Sequence, residues 1–222
     1  MANRYNITFD TEADYLAYKA SSAYCEPNVS YISNDNIVHF NPYVDPYAGH
    51  EYVDLGLPSG TKWATMNVGA SSETDYGNYY QYGKGAAQYA ATSGDSIYSG
   101  TENPLATSAD TVAQVWGGSW HMPTRAQIEE LTDNTNYTWE TNFNGSGVNG
   151  GKFTDNTDNS KYIFIPAAGC WSYGKWYGSN GGYWSSIPLG SSSAYRLLVN
   201  DGLEDVNPDD REYGYYVRGV VG

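Results

Sequence analysis

The apolar positions of this chain fall into many short runs between polar, turn-forming residues, and helical spacing shows in only two segments. The first, TEADYLAYKASS, starts on Thr11 as N-cap with Asp14 three residues on, a carboxylate variant of the capping box. The second, PTRAQIEEL, has Thr124 and Gln127 at capping-box spacing and places Ile128 and Leu131 on one face. NVSYIS and NIVHFNPY read as two strands joined by NDN, after which Pro42 and Pro46 break the pattern. Beyond the second helix, KYIFIPAAG, GGYWSS, AYRLLV and GYYVRGVV are four strand candidates. One helix and many short strands after the break predict an α+β domain of irregular antiparallel strands. The expected division is residues 1–46 as a helix-and-hairpin appendage for attachment or oligomerisation, and 47–222 as the main domain.

Composition changes this picture in one respect. The apolar content is carried by 23 Tyr and 7 Trp against only 5 Phe and 3 Met. Such side chains combine contact area with a polar handle and suit binding surfaces as well as cores. A formal charge of −14 with 11 Lys and Arg repels phosphate backbones and anionic bilayers, so neither nucleic acid nor membrane is an expected partner. No stretch reads as a membrane span, and the N-terminal residues show no hydrophobic signal core; the expectation is a protein that stays in its producing cell or leaves by another route. Two cysteines, Cys25 and Cys170, make no disulfide framework, and their pairing is left open.

Templates for catalysis and metal binding fail one by one. His39, His50 and His121 have no two-histidine metal spacing. GSGVNGGKF departs from a phosphate loop at Ser146 and at Phe153, where a glycine and a magnesium-binding hydroxyl belong. DNTDNSK alternates oxygen side chains from Asp155 but lacks the later glycine and bidentate Glu of a calcium loop, so a polar turn is expected; structural calcium at Asp155–Asp158 stays open. Adjacent Asp209 and Asp210 point apart in an extended segment and make no proton-sharing pair. No enzyme activity and no cofactor are expected.

The motifs YVDLGLPSGTKWATMNVGA, GNYYQYGK, WHMPTRAQIEEL, FIPAAG, GGYWSS, AYRLL and GYYVRGV occur in this order, and over residues 50–222 the chain resembles the FISUMP-type major paralogous domains of gut bacteria and phages. That resemblance implies a C-type-lectin-like fold. Within the group the chain is most similar to the variable proteins of diversity-generating retroelements, in which an error-prone reverse transcriptase rewrites adenines near the 3′ end of one gene. It implies a fixed framework, here Tyr183, Trp184, Ser185, Ser186, Ala194, Tyr195, Leu197, Arg211, Gly214, Val217 and Arg218, and a variable region at about 170–213. The ligand-binding positions so implied are Trp171, Tyr173, Trp176, Tyr177, Asn180 and Leu189, then Arg196, Leu198, Asn200 and Asp201, then Leu203, Asp205, Asn207, Asp209, Asp210 and Tyr213.

One check is independent of the resemblance. Asp201, Leu203, Asp205 and Asn207 recur at spacing two, which in an extended segment sets them on one face. The mixture is not one a folding pattern selects. The resemblance implies a protein or glycan ligand on a cell surface, a homo-oligomer such as a trimer, and a place in a phage tail, with host cytoplasm before assembly. Two alternatives stay open: an ordinary carbohydrate-binding lectin-like adhesin, and an enzyme. The formylglycine-generating type needs a cysteine pair, and a depolymerase needs two acids from the Asp-rich segment.

Overall fold

The computed structural model describes residues 47–85, 97–171 and 179–222 with side chains, except the side chains of Leu203 and Glu204, together with the backbone of two short strands nearer the N-terminus. The chain divides into two compact units, Met1–Ala48 and Gly49–Gly222. In the first, β1 (Ser30–Ile32) pairs antiparallel with β2 (Val38–Phe40), as NVSYIS and NIVHFNPY predict. The expected helix from Thr11 lies outside the described residues, as does Cys25.

Among its described residues the second unit is a set of small antiparallel sheets with two α-helices and one 3-10 turn, an α+β arrangement rich in strand. β3 (Tyr52–Val53), β4 (Lys62–Asn67) and β13 (Arg218–Val221) form one sheet in the order β13-β4-β3, and β5 (Tyr80–Gln81) pairs with β12 (Gly214–Tyr215). β6 (Thr135–Glu140), β7 (Gly150–Asp155) and β8 (Tyr162–Pro166) form the second three-stranded sheet. The third has the order β11-β10-β9, from β9 (Asn180–Leu189), β10 (Ser193–Asn200) and β11 (Leu203–Asp210). Leu55, Trp63, Ile128, Leu131, Phe153, Ile163, Ile165, Leu197, Val199 and Val220 meet in one core between these sheets.

Helix α2 (Arg125–Asn134) follows the sequence expectation closely. Thr124 Oγ1 accepts from the Gln127 N–H at 3.2 Å, and the Gln127 carboxamide oxygen accepts from the Thr124 N–H at 2.9 Å, closing the capping box. Ile128 and Leu131 are its buried face. The sequence predicts no other helix in this unit, yet α1 (Thr111–Val115) is present, one short turn whose residues show no amphipathic repeat long enough to read. It is held by tertiary contacts: the Asp110 carboxylate caps Ala113 N–H at 3.0 Å and also accepts from the distant Met122 N–H at 2.8 Å.

One strand expectation is corrected, and one extended segment proves to be a regular strand. GYYVRGVV is not one strand: β12 pairs with β5, and after Tyr216 and Val217 the chain changes partner, so that β13 pairs with β4. The Asp-rich segment 203–210 is a full strand, β11, paired with β10 from Asn200↔Leu203 to Ser193↔Asp210. The signal for it was Asp201-Gly202, a two-residue hairpin turn in which Gly202 has φ 91°, a conformation glycine adopts without steric cost. Because Asp201 sits in that turn, it does not share the face of Leu203, Asp205 and Asn207; Asp209 continues their alternation.

Candidate functional site: the outer face of the β9–β10–β11 sheet

Partners opposite each other in an antiparallel pair point to the same side, so the strand register sorts the residues of this sheet into two faces. Leu197 and Val199 of β10, with Tyr183 of β9 and Val206 of β11, pack against the core. The other face carries Arg196, Leu198 and Asn200, with Trp184, Gly182 and Asn180 on one side and Asn207, Asp205 and the Leu203 position on the other. Eight of the sixteen positions implied by the resemblance are thus brought together here: Asn180, Arg196, Leu198, Asn200, Leu203, Asp205, Asn207 and, opposite Ala194, Asp209.

Others lie around this cluster. Trp171 reaches the flank by exchanging backbone hydrogen bonds with Gly214 at 2.7 and 3.0 Å, its ring stacked on Tyr79 at 5.9 Å. Tyr213 meets Tyr215 edge to face at 6.4 Å. Asp201 is exposed in the hairpin turn. Leu189 and Asp210 are both opposite Ser193, at the far end of β10 from Asn200 and about 23 Å away along an eight-residue strand. Leu189 is 45% exposed there. Tyr173, Trp176 and Tyr177 lie outside the described residues.

Burial divides the two sets of residues. Tyr183, Trp184, Ser185, Ser186, Ala194, Leu197, Arg211, Gly214, Val217 and Arg218 are all buried, and Tyr195 is half-buried. Among the described implied ligand positions, every one whose side chain is described is half-buried or exposed.

Two framework arginines explain why that scaffold holds its shape. Arg211 donates to the carbonyls of Ser193, Tyr98, Gly100 and Gly190 at 2.6–2.9 Å, tying the far end of the sheet to a distant loop. Arg218, 1% exposed, donates to Asn67 Oδ1 and to the carbonyls of Ala64 and Phe164 at 2.8–2.9 Å. Burial pulls the Arg218 guanidinium down to about 10, still charged at neutral pH.

A polar network with no local signal in the chain underlies the outer face. Tyr215 lies against Trp184, ring centroids 4.7 Å apart and nearly perpendicular, over Gly182, where a Cβ would run into its ring. Its hydroxyl donates to Asp209 Oδ2 at 2.6 Å. Arg196 Nε donates to the same oxygen at 2.9 Å, and its guanidinium lies 5.3 Å above the Tyr215 ring. Asp209 Oδ1 accepts from the Asp210 N–H at 2.9 Å. Burial pushes the Tyr215 phenol well up, so it remains a donor; burial, with Asp209 nearby, also pushes the free Cys170 thiol up, which does not suit a nucleophile. The pair of glycines in GGYWSS was the one available hint, since close ring approach requires a missing side chain.

Two cavities, of about 400 and 240 Å³, lie elsewhere: one against Tyr52, Thr65, Lys161 and Tyr162, the other against His50, Met66, Val115 and Trp116. Among the described residues no three His, Cys, Asp or Glu side chains are placed to hold a metal ion. The Asp155 turn closes on itself, Oδ1 accepting from Thr157 N–H at 2.7 Å, from its hydroxyl at 2.8 Å and from Asp158 N–H at 3.3 Å. His50 stacks on Trp116 at 4.0 Å, and His121 Nδ1 lies 3.0 Å from the Met122 carbonyl oxygen. No described helix is long and apolar enough to cross a membrane.

Compared with family models, with curated proteins and with solved structures, the chain matches none.

Proposed function

We propose that this chain is a non-enzymatic recognition protein, with a C-type-lectin-like domain that presents the outer face of the β9–β10–β11 sheet to a macromolecule on a cell surface. One observation carries the reading: residues with no framework pattern keep part of their surface open to solvent, while all but one of the framework residues around them are buried. A fold can tolerate change at the first set without losing the second, which is what a diversified surface requires. Asn, Asp, Tyr, Leu and Arg in the variable region are all reachable from an adenine-rich asparagine codon by changing adenines, in keeping with a retroelement-diversified gene; Trp171 and Trp176 are not.

The surface mixture suits such a task. Tyr and Trp give rigid contact area, Asn and Asp give adaptable hydrogen bonding, and Leu198 and Leu189 add apolar contact. A phage tail that displays several copies, for instance as a trimer, raises weak single-site binding by ~10²–10⁴. No cofactor enters the reading.

The test is on DNA. The genomic neighbourhood is sequenced for a reverse transcriptase gene and a near-copy of the segment encoding Trp171 to Tyr213. Mismatches confined to template adenines support the proposal and identify the contact positions. With no template, the chain is an undiversified lectin-like domain.

A further inference from the structure

Ser59 and Thr61, just ahead of β4, meet Gln127 and Glu130 of α2 in a chain of hydrogen bonds that the helix cap does not need. The capping box uses only the Gln127 carboxamide oxygen, which accepts from the Thr124 N–H at 2.9 Å and from the Thr124 hydroxyl at 3.1 Å. Because that N–H can only donate, the atom facing it is the oxygen, and the amide nitrogen is left to face Thr61. Gln127 Nε2 donates to Thr61 Oγ1 at 3.2 Å. The Thr61 and Ser59 hydroxyl oxygens are 2.7 Å apart, and Ser59 Oγ donates to Glu130 Oε2 at 2.5 Å.

The proton count fixes the direction of this chain. Each hydroxyl has one proton to give. Ser59 gives its own to Glu130, so Thr61 donates the bond between the two hydroxyls, and a lone pair of Thr61 Oγ1 is turned to the Gln127 amide. These are the parts of an acyl transfer: a hydroxyl whose proton can pass through Ser59 to a carboxylate, an amide carbon beside it, and two Thr124 donors already on the carbonyl oxygen where negative charge would develop. Thr61 is 2% exposed, which shields it from competing water. The Gln127 carbonyl carbon is one amide bond of about 1.33 Å from Nε2, so Thr61 Oγ1 lies within about 4.5 Å of it. A turn of the carboxamide closes the remaining gap to an attack distance of about 3–3.5 Å.

We propose that Thr61 and Gln127 join in an intramolecular ester, a covalent tie between the start of β4 and α2. Thr61 Oγ1 bonds to the Gln127 side-chain carbonyl carbon, and the bond from that carbon to Nε2 breaks. The hydroxyl proton, passed through Ser59 to Glu130, is returned to the departing nitrogen, which leaves as ammonia. The step needs no other reactant and occurs once in each chain. The tie closes the loop between residues 61 and 127 and so restricts the unfolded chain as a disulfide would, in a unit whose described cysteine, Cys170, is free. It stands apart from the recognition function proposed above, since none of its residues belongs to the outer face of the β9–β10–β11 sheet.

The experiment follows the intact mass of the full chain from synthesis onward, with samples reduced and denatured before weighing. The expected result is a mass lower than the sequence gives by one ammonia, and a protease digest in which the stretches holding Thr61 and Gln127 stay joined. Hydroxylamine should part them, since an ester yields to it and an isopeptide does not. Thr61→Val is expected to keep the full mass, and Glu130→Gln to slow the linkage at least about a hundredfold. Glu130 is half-buried on the helix surface, so its variant serves where Thr61→Val fails to fold. A parent chain that keeps its full mass overturns the proposal. So does an ammonia loss that maps to an asparagine elsewhere, or Gln127 hydrolysed to glutamate with Thr61 free. Linkage as fast in Glu130→Gln as in the parent overturns the proton path through Ser59.

Discussion

The two faces of the β9–β10–β11 sheet are made from alternate residues of the same three strands, and they obey different rules. On the inner face Leu197, Val199 and Tyr183 contribute to a core shared with α2 and the other sheets, where volume and shape are fixed by close packing. On the outer face Arg196, Leu198, Asn200, Asp205 and Asn207 follow no apolar pattern, and Asp205 and Asn207 hydrogen-bond each other rather than the framework. Period-two alternation is therefore enough to keep a rigid scaffold and a changeable surface on one strand.

The edge strand shows the same division. β11 leaves one side of its backbone unpaired within the sheet, and an open edge invites pairing with other chains. Pro208, Asp205, Asp209 and Asp210 blunt it, since Pro cannot donate to a ladder and like charges repel a second copy.

The comparison breaks most easily at its buried arginine. Arg218→Met removes the donor shared by Asn67 Oδ1 and the Ala64 and Phe164 carbonyls and orphans them in the core, so urea unfolding is expected to show a loss on the order of 3 kcal/mol or more. A variant as stable as the parent would mean that the inner framework does not depend on this guanidinium.

Next in size is Gly182→Ala. The new methyl group meets the Tyr215 ring, which has to leave Trp184 or lose its bond to Asp209, at a cost of about 2 kcal/mol read as a lowered thermal midpoint. This sharpens the comparison, because the position faces outward and yet belongs to the framework.

Acidification has a smaller effect of known sign. The Ser71 backbone N–H holds the Asp75 carboxyl below its ordinary range, as the Thr157 backbone N–H does for Asp155 and the Ser160 hydroxyl for Asp158. A carboxyl lowered in the folded state adds stability above the ordinary carboxylate range and loses it as pH falls from that range down through its lowered folded-state value. Burial raises Asp110 and works in the opposite direction. Urea midpoints should therefore fall from pH 7 to pH 3, and by less in Asp75→Asn.

The smallest change expected is in the outer face itself. Asn200→Ser, Asp205→Ser and Asn207→Ser each shift stability by no more than about 0.5 kcal/mol in denaturant titrations. If the three together unfold the chain, the outer face is structural and the proposed function fails with it.

Much of the scaffold was legible in the chain because its signals are local. The capping box at Thr124, the alternation in AYRLLV and the turn-bounded run KYIFIPAAG each carry their own period or punctuation. β11 was harder, since Asp, Asn and Pro are poor strand formers and only the Asp201-Gly202 turn announced it. Tyr183 and Arg218 were readable as framework, while Tyr215 and Cys170 gave no sign that they lie beside Asp209.

By itself the sequence determined the strand-rich α+β class, α2 and its cap, the hairpin of β1 and β2, and which stretches near the C-terminus alternate. Tertiary structure alone decided that Arg196, Asp209 and Tyr215 share one network, that GYYVRGVV changes sheets midway, and that Trp171 flanks the face. The physical reason is distance along the chain. Periods and caps act over a few residues, whereas these placements depend on sheet register and on burial shared between segments far apart, which no short window of residues contains.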